Sequence, residues 1–222
     1  AAEALLRIHD KNGNFISPAE AIPILEESGL IIPVGKWIIQ NAFSMCTECR
    51  KYYPEFRVSI NLSYVQILKS PLMMELKQMI DHSGISCSGI IVELTESGYL
   101  EGTPAVRSVW NDMKQLRIQI ALDDFGTGYS NLMNISNLEP DIVKLDRGFT
   151  LKALSRSYEY QLMQYVIEMV HKLNQYVCVE GVETKEDLEK IKALGPDLIQ
   201  GYYYSKPCSR NEFLKKFFCY SE

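Results

Sequence analysis

The apolar positions of the chain fall into short runs that are rich in β-branched residues. Several of these runs are apolar at consecutive positions, whereas a half-buried strand alternates apolar and polar residues. Consecutive apolar positions are typical of parallel strands that are buried on both faces. The pattern therefore predicts seven buried strands, at 3–8, 57–62, 90–96, 119–125, 141–146, 176–182 and 198–204.

Helix-forming segments lie between these runs, and several of them carry start signals. The segment SPAE at 17–20 has the pattern of a capping box with proline at the first helical position. The segments SRNE at 209–212 and TKED at 184–187 repeat the pattern, and Ser70–Pro71 opens another predicted helix. Longer amphipathic stretches predict helices at 33–50, 104–117 and 153–174.

Strands that alternate with helices, without a boundary linker, predict one α/β domain over residues 1–222 with a parallel sheet. A doubly wound open sheet and a (β/α)8 barrel both satisfy this alternation. Strong polar residues near the C-terminal ends of nearly all the strands favour the barrel, because only a closed barrel brings every strand end around one mouth. We therefore expect a TIM-type (β/α)8 barrel whose first N-terminal strand lies upstream of residue 1. The polar strand-end residues are Arg7, Asn61, Glu93, Glu96, Asp123, Asp124, Lys144, Asp146, Glu180, Glu183 and Gln200.

Composition narrows the possible functions. The net charge of −5 argues against a DNA- or RNA-binding surface, which usually carries a basic patch. No apolar run approaches the roughly 20 residues that span a bilayer, so no membrane contact by this domain is expected. The six cysteines are irregularly spaced, and a chain of this size needs no disulfide framework. We expect a reduced, cytoplasmic domain.

Carboxylates dominate the predicted strand ends, and Lys144 is the clearest cation among them. Two carboxylates about 8 Å apart repel by about 2 kcal/mol at an effective dielectric constant of about 20, so several of them require bound cations or protons. Oxygen donors without His or Cys suit Mg²⁺ or Mn²⁺ rather than zinc. The pattern therefore favours metal-assisted phosphoester chemistry. The candidate oxygen donors are Glu3, Asn61, Glu93, Asp123, Asp124 and Glu180.

The adjacent acids Asp123 and Asp124 are a puzzle for this interpretation, because neighbouring side chains of a regular strand point to opposite faces. Glycines follow at 126 and 128. A GTG segment alone is weak support for a phosphate cradle, and it fits a flexible strand-to-helix turn better. The residues alone leave open whether the two acids form a metal and catalytic centre, cradle a phosphate or end a strand in water.

The motifs around these residues resemble those of the EAL-type cyclic di-GMP phosphodiesterases of bacterial signalling, over essentially the whole chain. The letters EAL stand at Glu3–Leu5. A run of motifs in this order and spacing is far more specific than three letters. The further motifs are NLS at 61–63, ELTES at 93–97, DDFGTGYS at 123–130, KLD at 144–146, EGVET at 180–184 and QGYYYSKP at 200–207.

The resemblance implies a TIM-type barrel that hydrolyses cyclic di-GMP to linear 5′-pGpG at a two-metal site holding Mg²⁺ or Mn²⁺. The implied ligands of one metal are Glu3, Asn61, Glu93 and Asp123. The implied ligands of the second are Asp123, Asp124 and Glu180. Lys144 and Gln200 would serve the attacking water, and Glu96 would steady the DDFGTGYS loop. Residues implied for substrate binding are Leu5, Arg7 and Asp146.

The resemblance also implies a homodimer, and a place downstream of sensor or GGDEF-type domains in a longer protein. Ca²⁺ is expected to inhibit, because its looser coordination positions water poorly. One departure from the family is Ile8 in place of the usual Trp, followed by His9. Two rival functions remain open: a catalytically silent cyclic di-GMP receptor, and an unrelated barrel enzyme such as a metal-dependent aldolase. The filled set of ligand positions favours catalysis over the receptor.

Overall fold

Helices and parallel strands alternate along the chain, as the apolar runs predict. The structure is a computed structural model that describes residues 1–95, 103–127 and 138–218. The strands are β1 (Ala2–Ala4), β2 (Ile8–His9), β3 (Phe15–Ile16), β4 (Val58–Asn61), β5 (Ile90–Thr95), β6 (Gln119–Phe125), β7 (Ile142–Leu145), β8 (Tyr176–Val179) and β9 (Leu198–Ile199). The α-helices are α1 (Pro18–Glu27), α2 (Ile31–Arg50), α3 (Tyr64–Lys69), α4 (Leu72–Ser83), α5 (Pro104–Gln115), α6 (Arg147–Ser155), α7 (Ser157–Lys172), α8 (Lys185–Lys192) and α9 (Arg210–Phe218).

The chain divides into two compact units. The first contains Ala1–Glu93, Gly102–Gln119 and Ser209–Glu222, and the second contains Leu94–Glu101 and Ile120–Cys208. In the first unit β1 pairs with β4 and β4 with β5, all parallel. In the second unit the parallel order is β6, β7, β8 and β9. Each unit is therefore a run of parallel strands connected through helices.

The parallel strands are buried on both faces, as their continuous apolar runs predict. Ile90 to Leu94 in β5 are buried at every position, and so are all four residues of β7. The core of the first unit includes Phe43, Ile60, Leu76, Ile90 and Met113, and that of the second includes Ile120, Leu122, Leu145 and Met163. A strand covered on both faces has little room for polar side chains except at its ends.

The predicted capping signals start three helices. The Ser17 hydroxyl accepts the N–H of Ala19 at the start of α1. At α8, Thr184 and Asp187 form a reciprocal capping box. At α9 the carboxylate of Glu212 accepts hydrogen bonds from the N–H and hydroxyl of Ser209, and these bonds lower the pKa of Glu212. These caps satisfy N–H groups that a first helical turn leaves unpaired.

The first and last predicted strands are wrong in extent. The run at 3–8 ends its parallel pairing at Ala4, and Ile8–His9 pairs instead with Phe15–Ile16 in an antiparallel hairpin. The turn of this hairpin is held by the Asp10 carboxylate, which accepts the N–H groups of Asn12 and Asn14 at 2.8 Å. The run at 198–204 contributes only Leu198–Ile199 to the sheet.

The helix predicted at 153–174 is also wrong, because the segment forms two helices. The break lies at Arg156, whose backbone is extended with φ −138° and ψ 129°. Within the described ranges, no helix is both long enough and apolar enough to cross a bilayer.

The buried thiols of α2 differ chemically from the exposed thiol near the C-terminus. Cys46 and Cys49 are fully buried, Cys208 is exposed, and all five described cysteines are free. Burial raises the pKa of Cys46, and it raises the pKa of Cys49 to about 11. Because a thiolate is the reactive form, both buried thiols are expected to be inert in the folded chain.

We expect a thiol reagent at mildly alkaline pH to modify Cys208 quickly and to reach Cys49 only when the chain unfolds. Cys208→Ser should remove one equivalent of modified thiol from the fast phase of the reaction, whereas Cys49→Ala should leave that phase unchanged. The raised pKa of Cys49 also makes stability fall as the pH rises from about 9 toward about 11, since the unfolded thiol ionises first. Fast modification of Cys49 in the folded chain would contradict this assignment.

Candidate active site

A buried lysine lies between two carboxylates in the second unit. The Lys144 ammonium, in β7, is 3.1 Å from Asp123 Oδ1 and 2.8 Å from Glu180 Oε1. The side chains are 4% exposed for Lys144, 13% for Asp123 and 19% for Glu180. A charge this deeply buried requires opposite charges at close range, and both carboxylates supply them.

Strand register brings these three side chains together. Lys144 pairs with Cys178 in β8, and the N–H of Glu180 donates to the carbonyl of Leu145 at 3.1 Å. Asp123 reaches Lys144 from the neighbouring strand β6. The C-terminal ends of three adjacent parallel strands thus supply the cluster, where α/β enzymes place their functional groups.

A bulge at the end of β6 accounts for the adjacent acids. Leu122 pairs with Val143 and Phe125 pairs with Leu145, so two residues of β6 stand opposite the single residue Lys144. Asp124 adopts the left-handed conformation with φ 61°, which is uncommon for a residue other than glycine. The extra residue breaks the regular pleat between Asp123 and Asp124, so the alternation rule does not hold there.

Close packing requires a glycine at position 126. Gly126 has φ 102°, and a Cβ atom there would lie 2.8 Å from the ring of Phe149. The helix that follows β7 therefore fills the space beside this glycine. Residues 128–130 of the predicted loop lie outside the described residues, as does Glu96, which we expected to steady the loop.

The first unit holds three of the predicted ligands on neighbouring strands. Asn61 Nδ2 donates to Glu3 Oε1 at 2.7 Å, from β4 to the neighbouring β1. Asn61 also pairs in register with Glu93 of β5, which is 3% exposed. The structure therefore places Glu3, Asn61 and Glu93 on three adjacent strands of this unit.

The two predicted substrate contacts that follow β1 are exposed. Leu5 is 43% exposed, and the Arg7 guanidinium lies 5.9 Å from the centre of the Phe15 ring in the hairpin. Residues 7 and 15 thus form a cation–π contact, and Phe15 is a neighbour of Arg7 that the sequence pattern did not single out.

The remaining predicted residues, Asp146 and Gln200, have structural contacts in the second unit. Asp146 Oδ1 accepts the N–H of Gly148 at 2.7 Å and so caps α6. The N–H of Gln200 donates to the carbonyl of Val179 at 2.8 Å, directly after β9. Both residues follow C-terminal strand ends, as predicted.

The donor set suits a hard divalent cation. All the predicted ligands present oxygen atoms, which Mg²⁺ and Mn²⁺ prefer. Among the residues that the structure describes, no three His, Cys, Asp or Glu side chains already stand together as a metal-binding group. In the second unit, the Lys144 ammonium supplies the positive charge beside Asp123 and Glu180.

Comparison with known families identifies the chain. The EAL domain model matches residues 1–207. The chain belongs to the EAL domain family. This confirms the predicted family, and the EAL domain accounts for the order and spacing of the motifs.

Curated relatives of the chain include two proteins of Escherichia coli. The chain is 32% identical over 205 residues to the protein named cyclic di-GMP phosphodiesterase PdeF, covering 92% of this chain and 27% of the relative. It is 33% identical to the protein named cyclic di-GMP phosphodiesterase PdeR, covering 92% of this chain and 31% of the relative. The chain thus spans about a quarter to a third of these proteins.

Solved EAL structures share the fold. The EAL enzyme Bd1971, in a form bound to cAMP and cyclic di-GMP, matches with a TM-score of 0.90 and 30% identity over 96% of this chain and 59% of that chain. The PaMucR phosphodiesterase in complex with c-di-GMP matches with a TM-score of 0.87 and 27% identity over 96% of this chain and 86% of that chain. The predicted TIM-type (β/α)8 class is confirmed, with seven parallel strands in the described part of the chain.

Replacing Lys144 with methionine should destabilise the chain by about 3 kcal/mol, because the substitution leaves Asp123 and Glu180 without their shared cation. The free energy of unfolding in urea measures the loss. The matched control is Lys36→Met, which removes an ion pair with Glu75 from a side chain that is 43% exposed. The control substitution should lower the free energy of unfolding by no more than about 1 kcal/mol. Equal losses for the two variants would contradict the role of Lys144 as a buried counter-ion.

Proposed function

We propose that this chain is a metal-dependent phosphodiesterase that hydrolyses cyclic di-GMP to linear 5′-pGpG. The observation that carries the proposal is the buried Lys144 between Asp123 and Glu180, at the strand ends where the DDF, KLD and EGV motifs meet. Relatives named cyclic di-GMP phosphodiesterases support the choice of substrate.

The proposed cofactor is Mg²⁺ or Mn²⁺ at a two-metal site. When bound, the cations polarise a phosphoryl oxygen and lower the pKa of bound water. The oxygen-only donor set supports this choice. The proposed ligands of one metal, carried over from the family's motifs, are Glu3, Asn61, Glu93 and Asp123, and those of the second are Asp123, Asp124 and Glu180.

Other residues of the chain would bind the substrate and position water. The exposed guanidinium of Arg7 would hold a phosphate, and Leu5 would line the pocket beside it. Lys144, an ammonium donor, would orient the attacking water and stabilise the negative charge that develops on its oxygen. Gln200 would support the same water, and Asp146 would contact the substrate. The proposed role of Glu96 rests on its motif alone.

Hydrolysis opens one of the two phosphodiesters of the ring. The oxygen of water forms a bond to phosphorus and the bond from phosphorus to the 3′ oxygen breaks. The phosphate remains on the 5′ side, as in pGpG, because the broken bond is the one to the 3′ oxygen. The water gives up one proton, and the 3′ oxygen takes one up. A single cut converts the cyclic dinucleotide into a linear one.

The proposal extends to the setting of the domain. We propose a homodimer, and a place in a longer protein beside sensor or GGDEF-type domains. Relatives named as a bifunctional diguanylate cyclase/cyclic di-GMP phosphodiesterase and as an oxygen sensor support the second point. The free thiols of the described cysteines suit a reducing cytoplasm.

We expect the full chain with Mn²⁺ to convert cyclic di-GMP to pGpG, and Asp123→Asn to lower kcat by at least about 100-fold. Chromatography of the products measures both. Asparagine keeps the shape of the aspartate side chain but lacks the negative charge that binds a metal cation. Asp81→Asn, at an exposed position of α4, is the matched control and should retain full turnover.

The outcome of this experiment distinguishes the phosphodiesterase from the first rival function, a catalytically silent cyclic di-GMP receptor. A chain that binds cyclic di-GMP by calorimetry but never cleaves it, with Mg²⁺ or Mn²⁺ present, is a receptor. A chain that neither binds nor cleaves the dinucleotide overturns both assignments.

Replacing Mn²⁺ with Ca²⁺ should abolish turnover while leaving cyclic di-GMP binding intact. Ca²⁺ accepts more ligands at longer distances and holds water less rigidly than Mg²⁺ does. Product formation and calorimetric binding, measured on the same sample, separate the two effects. Full turnover with Ca²⁺ would argue against a site that depends on tight octahedral coordination.

A further inference from the structure

Beyond the buried cluster, a second ion pair joins the first residue of α6, which follows β7, to the loop after β8. Arg147 Nη2 and Nε donate to the same carboxylate oxygen of Glu183, at 2.7 and 3.2 Å. These hydrogen bonds raise the pKa of Arg147. The two side chains are 57% and 38% exposed, so the pair lies at the surface. We call this pair the Arg147–Glu183 clasp.

The clasp continues the contacts that hold Glu180. Residues 144–147 lie alongside residues 180–183 and contact them at three successive points. The first is the ion pair between Lys144 and Glu180, and the second is the hydrogen bond from the N–H of Glu180 to the carbonyl of Leu145. The third is the clasp, which fixes the far end of the Glu180 segment.

Gly181 leaves no space between the two segments. It has φ 78°, and a Cβ atom there would lie 2.4 Å from Arg147 Cγ and 3.0 Å from the Arg147 Cα. The stem of Arg147 therefore covers the residue next to Glu180, and its guanidinium reaches the residue three positions after Glu180. One side chain thus contacts the Glu180 loop at two places.

The opposite side of the loop is held by backbone hydrogen bonds. The N–H of Val182 donates to the carbonyl of Gln200 at 3.2 Å, and the N–H of Tyr203 donates to the carbonyl of Val182 at 3.0 Å. Val182 itself is fully buried. The backbone from 180 to 183 is thus fixed from the β9 side, and the clasp fixes it from the β7 side.

We propose that the Arg147–Glu183 clasp is a positioning device that sets the carboxylate of Glu180 for metal binding and turnover. The inference rests on the proposed function, in which Glu180 is a metal ligand. An exposed ion pair adds little to the stability of a fold, so the main effect of the clasp is on the geometry of Glu180. Residues that orient a ligand typically change metal affinity or activity by about 10- to 100-fold when they are replaced.

The test uses the full chain and the variants Glu183→Gln and Arg147→Gln. Each should weaken Mn²⁺ binding about tenfold. The electron paramagnetic resonance signal of free Mn²⁺, recorded without substrate, measures this binding. Each should also lower kcat for cyclic di-GMP about tenfold while KM and the thermal midpoint stay close to those of the wild type. The charge swap, Arg147→Glu combined with Glu183→Arg, should recover part of both losses.

Glu186→Gln is the matched control, because it removes another surface ion pair of the same unit, with Lys190 at 2.9 Å. It should change neither Mn²⁺ affinity nor kcat. If the wild type binds Mn²⁺ and turns over while the clasp variants behave like this control, the clasp has no positioning role and the proposed function stands. A wild type that neither binds Mn²⁺ nor hydrolyses cyclic di-GMP overturns the proposed function, and the clasp proposal with it.

Discussion

The second unit of this EAL domain is organised around one buried charge. The Lys144 side chain is 4% exposed, and an ammonium that deep is tolerated only when carboxylates are held beside it. Asp123 and Glu180 meet this requirement from the strands on either side. The register of β6, β7 and β8 is therefore constrained at their C-terminal ends by electrostatics as well as by backbone hydrogen bonds.

The constraint on the C-terminal ends of these strands explains why a bulge in β6 is useful. A regular strand would place Asp123 and Asp124 on opposite faces and opposite different residues of β7. With both residues opposite Lys144, Asp123 stays close to the ammonium, and Asp124 turns through a left-handed conformation at the exposed end of the strand. Phe125 then returns to the core and restores the pairing with Leu145. The bulge thus places two acids at one strand end without interrupting the core.

The sequence predicted the parallel strands well, because burial on both faces requires runs of apolar residues. It also placed Asn61, Asp124 and Lys144 near the C-terminal ends of their strands, since polar residues find few other positions in such strands. Arg7, which was predicted at the end of the first strand, lies beyond β1. The sequence did not predict the hairpin at Ile8–His9 and Phe15–Ile16, whose strands are too short to show alternation. The break at Arg156 was missed because the amphipathic pattern continues across it, and only the backbone angles reveal the break.

The positions of the site residues were more predictable than their contacts. The motif assigns Asp146 to the substrate, but its Oδ1 atom is committed to capping α6. The cap fixes the orientation of this carboxylate at the start of α6. In the same way, the space beside Gly126 is filled by Phe149, so close packing requires a glycine at that position. In both cases the residue type follows from a local structural requirement, and that requirement in turn limits the chemistry available at the strand end.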